Sequence, residues 1–163
     1  MNRQEMQSEF DRLKFQLDSL KREAGKIPDE IYAMGCQQLC INICGSLEQS
    51  LKKIFVTYGR RKSENRIHRS IEKVCESYQN PKSLKILELI GLFDDDFERS
   101  LKADWDGTLE LERNHIDNLI DDRITIAHRK RQHISISTSK LENYYRAYTG
   151  VTTRIFNHFL NGH

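Results

Sequence analysis

Apolar residues recur at helical spacings along almost the whole chain. Met6, Phe10, Leu13, Leu17 and Leu20 alternate steps of four and three, a heptad seam that predicts a helix over roughly residues 3–24, ended by Gly25. This N-terminal segment, residues 1–26, is amphipathic, and its seam can pack on the chain itself or on a second copy. Pro28, Asp29 and Glu30 suit a helix first turn, where proline loses no hydrogen bond and carboxylates meet the positive end of the dipole. Ile31, Leu39, Ile43, Leu47, Leu51, Ile54, Phe55 and Tyr58 carry that helix, the longest, to a stop at Gly59.

Ser63 can cap a third helix with the stripe Ile67, Ile71, Val74, Cys75 and Tyr78, closed by Asn80-Pro81. Two short helices follow, over 83–93 and 94–103, then a turn at "DWDG" (104–107). From Thr108 a pattern of Leu109, Ile116, Leu119, Ile120, Ile126 and Ala127 predicts another long helix. Periodicity breaks around 130–138. Ser139 and Glu142 stand at capping-box spacing before a last helix that buries Leu141, Tyr144, Tyr145, Tyr148, Ile155, Phe156 and Phe159. No set of strands emerges. The predicted fold class is all-α, a bundle of four to five main helices with short helices between, in one domain spanning 1–163.

Composition sharpens this picture. Hydrophobic residues are 37% and charged residues 31%, with two prolines and eight glycines, as suits long amphipathic helices. Net charge is only +2, yet it is unevenly spread. "RRKSENRIHR" (60–69) holds five Arg/Lys against one Glu, and "RITIAHRKRQH" (123–133) four against none. The acids gather in "FDDDFE" (93–98) and "DNLIDD" (117–122). Such polarity attracts a polyanion locally, although either run alone also suits a solvated helix face. No run approaches a membrane span, and "MNRQEMQSEF" lacks the apolar stretch of a signal peptide, so a cytoplasmic protein with reduced cysteines is expected. Cys36, Cys40 and Cys44 share one helical face over about 12 Å, too long for one zinc to reach all three easily, and are read as core residues.

The candidate chemistry lies in "DDRITIAHRKRQ" (121–132). Arg123 continues the stripe Ile116–Leu119–Arg123–Ile126 and must find an anion there. Positions 119, 120, 126 and 127 are Leu, Ile, Ile and Ala, so its own helix offers no carboxylate at the usual spacing. The partner must come from another helix, another chain or a bound phosphate. His128 follows, and Thr125 or Asp121 is placed to hold one ring nitrogen and leave the other for proton transfer. Arg129, Lys130 and Arg131 would then hold a phosphodiester beside it. A structural ion pair for Arg123 and a helix-end charge for His128 are the plainer alternatives.

"RITIAHR" resembles the Arg-x(4–6)-His signature of the HEPN superfamily in its shortest spacing. The order of elements is similar too, from a long early helix with "SLEQSLKKIF" (46–55) to a motif at the end of a late helix. The likeness covers roughly residues 30–160 and is greatest to the stand-alone HEPN proteins of bacterial defence and toxin systems, including the RiboL-PSP branch. It implies a metal-independent, cofactor-free endoribonuclease working as a homodimer with a composite cleft, with RNA as substrate and a neutralising or regulatory protein partner. Arg123 would stabilise charge on the scissile phosphate and His128 would move protons. Ile124 stands where relatives commonly carry Asn, and Asp122 is the adjacent residue that could supply that polarity; Lys130 replaces the Tyr of relatives controlled by a nucleotidyltransferase. Glu48 is either an auxiliary acid or a solvated helix residue. The competing reading is a non-catalytic helical interaction module.

Overall fold

The computed structural model describes residues 1–62, 65–128 and 135–161, except for the side chains of 65–67. All regular structure among them is helical. The helices are α1 (Arg3–Glu23), α2 (Asp29–Lys62), α3 (Asn65–Ser77), α4 (Ser83–Gly91), α5 (Asp95–Asp106), α6 (Glu110–His128) and α7 (Thr138–Phe156), with a final π-helical turn at Asn157–Asn161.

The 34-residue α2 is the axis of the bundle and is touched by α1, α3, α6, α7 and the π turn. Its inner positions, among them Ile43, Leu47, Leu51, Ile54 and Phe55, are fully buried. The heptad seam of α1 is spent within the chain. Leu13 and Leu17 are fully buried, and α1 runs antiparallel to α2, with Gln16 accepting from Asn42 (3.1 Å) and Leu20 lying against Gly35. Asn2 and Glu5 close a capping box at its start (2.8 and 3.0 Å). The seam also meets α7, where Tyr145 donates to the Phe10 carbonyl (3.2 Å).

Several local expectations are corrected. Gly59 does not stop α2, which continues to Lys62; Gly59 is instead where Ile71 of α3 comes closest, 2.8 Å from where a Cβ would stand. "DWDG" is no isolated turn, because α5 runs on to Asp106 and buries Trp105, while α6 starts at Glu110 rather than Thr108. The cap of α7 is Ser137, whose hydroxyl accepts from Lys140 N (3.2 Å). Glu142, assigned to a capping box with Ser139, binds Lys21 and Arg146. Ile31 and Val74, placed in buried stripes, are exposed. Ser63 and the side chain of Ile67 lie outside the described residues.

Two contacts fix α6, which carries the motif. Asp117 accepts from both the backbone N–H (2.7 Å) and the hydroxyl (2.8 Å) of Ser83, capping α4 from a neighbouring helix. Glu112 accepts from Trp105 Nε1 (3.0 Å) and Arg154 (2.7 Å) and lies against Gly150, where a side chain would collide with its carboxylate. The four cysteines are buried and unbonded to one another.

Candidate functional site

The last two turns of α6 hold the motif, and their neighbours on other elements decide its charge balance. Asp121 pairs with Lys82, just before α4 (2.6 Å). Asp122 accepts from the Tyr144 hydroxyl (2.7 Å) and from Lys140 (2.8 Å), both on α7. Tyr144 is fully buried, and burial, reinforced by its hydrogen bond to the Asp122 carboxylate, pushes its phenol far above the ordinary range. Both carboxylates next to Arg123 in sequence are therefore neutralised from elsewhere.

Arg123 is half-buried and makes no hydrogen bond or ion pair with any described residue. Its field acts on Cys44 of α2. Burial pushes that thiol up to about 11, which Arg123 opposes and Glu48 reinforces. Cys40, a turn away, is pushed up to about 12, mainly by burial and secondarily by Asp122. Both thiols are neutral at pH 7, so neither supplies Arg123 with a counter-charge. That is an uncommon state for a guanidinium on a core-facing stripe, and an incoming anion would meet little competition there.

Glu48 has structural partners of its own. It pairs with Lys52 (3.1 Å) and accepts from the backbone N–H of Asn80 (3.3 Å), whose φ of 52° makes the turn before Pro81. Both Glu48 and Arg123 act electrostatically on Cys44.

His128 is the last residue of α6 and is exposed. Thr125 does not hold its ring: the hydroxyl donates to the Asp121 carbonyl one turn back (2.7 Å), as threonine often does inside helices. The Asp121 carboxylate is engaged by Lys82. Among the described residues nothing bonds to the imidazole, which differs from the sequence expectation. Arg123 and His128 stand about 140° apart around α6, one turned inward and one outward. Arg129, Lys130 and Arg131 lie outside the described residues.

The arrangement offers a fixed cation with no anionic partner among the described residues and an accessible imidazole, the two kinds of group that charge stabilisation and proton transfer at a phosphodiester require. Sequence reasoning missed Lys82, Lys140 and Tyr144 as supports. Tyr144 reads as core, and no local spacing links it or the two lysines to the motif. Among the described residues no group of three His, Cys, Asp or Glu side chains is arranged to hold a metal, and no helix is long and apolar enough to cross a membrane. No known protein family, characterised protein or solved structure matches this chain.

Proposed function

We propose that this chain is a HEPN-type, metal-independent endoribonuclease, acting as a toxin or antiphage effector and cleaving RNA at a composite site between two copies. The observation that carries the reading is Arg123, a half-buried cation on the motif helix with no anionic partner among the described residues. A scissile phosphate is the anion it lacks. His128 takes the proton of a ribose 2′-hydroxyl, and the 2′-oxygen bonds to phosphorus as the bond to the 5′-oxygen breaks. Arg123 stabilises the charge that develops on the phosphoryl oxygens. A second imidazole, His128 of the partner subunit, returns a proton to the leaving 5′-oxygen. The products are a 2′,3′-cyclic phosphate and a 5′-hydroxyl. Asp122, gripped by Tyr144 and Lys140, anchors the backbone from which Arg123 projects.

Incubation of pure protein with total RNA in EDTA tests this. Wild type should cut and leave cyclic phosphate ends. Loss of proton transfer in His128→Ala should cost about 10²–10⁴-fold in turnover, and loss of the charge-stabilising donor in Arg123→Ala about 10²–10³-fold. A folded His128→Ala protein that cuts at the wild-type rate would leave the interaction-module reading in its place.

A further inference from the structure

The second basic run has no part in the site above, and the structure gives it an unusual balance. Among the described side chains from 58 to 73, Arg60, Arg61, Lys62, Arg69 and Lys73 stand with one carboxylate, Glu72. Elsewhere many cations are paired, as in Arg12–Glu9, Lys14–Asp18, Lys21–Glu142 and Arg154–Glu112. Here Lys62, Arg69 and Lys73 have no ion-pair partner among the described residues. The cations cluster where α2 ends and α3 folds back on it.

Arg60, which does pair with a carboxylate, is held in an arrangement that cannot be fully satisfied. Its Nε donates to His68 Nε2 (3.0 Å) while another guanidinium nitrogen donates to Glu72 (3.0 Å). The same His68 Nε2 lies 3.0 Å from Glu72 Oε1. A ring nitrogen accepting from Arg60 has no proton to give the carboxylate, and one that donates to Glu72 cannot accept from Arg60. His68 Nδ1 is buried without a partner among the described residues in either case. Moving the Arg60 guanidinium, whose side chain is 65% exposed, onto an external oxygen would let His68 Nε2–H donate to Glu72 without conflict. The release of Arg60 to an outside anion is thus partly offset inside the protein.

We propose that this α2–α3 ridge is a second RNA-binding surface, holding the phosphodiester backbone away from the cleavage site. Arg60 lies sixteen residues along α2 from Cys44, the residue in the field of Arg123, a separation of about 24 Å at 1.5 Å per residue. The ridge would set register and orientation without doing chemistry, as protein groups bound to phosphates do. Among the described side chains of α3 and the end of α2, Val74 is the one exposed large apolar group, too little for the continuous apolar face that a membrane-surface helix buries. RNA as the polyanion rests on the proposed ribonuclease reading; the charge imbalance and the conflicted His68 do not.

The test measures binding of a labelled single-stranded RNA over a salt series, in a His128→Ala background so that cleavage plays no part. Lys62→Ala/Arg69→Ala removes two side chains without described partners, so thermal unfolding should be unchanged. Affinity should fall about tenfold, and the slope of log affinity against log salt should flatten by about 0.7 for each phosphate that is no longer neutralised. Arg60→Ala should weaken binding similarly. Lys102→Ala, on α5, is the control and should do neither. Ridge variants indistinguishable from Lys102→Ala in affinity and slope overturn the proposal, whether or not the wild type cuts RNA. Equal loss of binding to phosphatidylserine vesicles overturns the assignment to nucleic acid. If the ridge variants lose RNA binding while wild type never cleaves, the ridge stands and the ribonuclease reading falls.

Discussion

Asp94 divides one carboxylate between two tasks. One oxygen accepts from Phe97 N (2.9 Å) and caps α5, and the other lies 2.9 Å from His158 Nε2, whose ring stacks on Phe97. The backbone bond first, and His158 second, hold this carboxyl below the ordinary range. A carboxyl lowered in the folded state adds stability above its unfolded pKa and loses it as pH falls through the folded value. Asp94→Asn keeps a good cap but removes the ionisation, so its stability should fall less steeply than wild type below pH ~4. Asp94→Ala should cost about 1 kcal/mol at neutral pH. Urea unfolding at several pH values checks both, and parallel acid profiles for wild type and Asp94→Asn would show the pair to be inert. At this scale the motif residues Arg123 and His128 were legible in the sequence because type and spacing are local properties. The bonds of Asp121, Asp122 and Thr125 were not.

The α4 helix begins at a residue that cannot cap it. Lys82 occupies the N-cap position, and its side chain makes no cap hydrogen bond. Asp117 of α6 supplies the acceptor, taking both donors of Ser83. Asp117→Ala should leave the Ser83 N–H and hydroxyl without that partner and cost roughly 1–3 kcal/mol. Faster hydrogen exchange should appear in the first turn of α4 and leave α7 unchanged. Uniform loss of protection across the bundle would instead mean that α4 and α6 do not separate locally. Ends of elements were read less well than their existence. The periodicity of α2 continues through Gly59, and helix ends depend on packing such as that of Ile71 as much as on the local residue.

At the scale of the whole molecule, one chain supplies a single motif histidine, while cleavage needs both a base and an acid. The proposed mechanism therefore requires two copies, with the ends of their α6 helices facing each other. Light scattering should find a homodimer at micromolar concentration, and cleavage per chain should fall on dilution below the dimer dissociation constant. A monomer that cuts RNA with undiminished activity per chain on dilution would refute the composite site. The N-terminal seam is not free to form this interface, because Leu13 and Leu17 are already buried against the chain's own core.

The sequence by itself determined the all-helical class, the main helices and most core positions, because these follow from a period of 3.6 residues and from residue types that act within a few turns. Tyr144, Tyr148, Ile155 and Phe156 fall in the core as their spacing predicts. Tertiary structure alone decided which charges are satisfied. Asp121 and Asp122 are the acids nearest to Arg123 in sequence, yet Lys82 neutralises one, and Lys140 with Tyr144 the other. Ion pairing depends on distances of a few ångströms between groups that can lie far apart along the chain, and no local periodicity encodes those distances. The result, a motif guanidinium with no ion-pair partner among the described residues, follows from how α2, α6 and α7 pack.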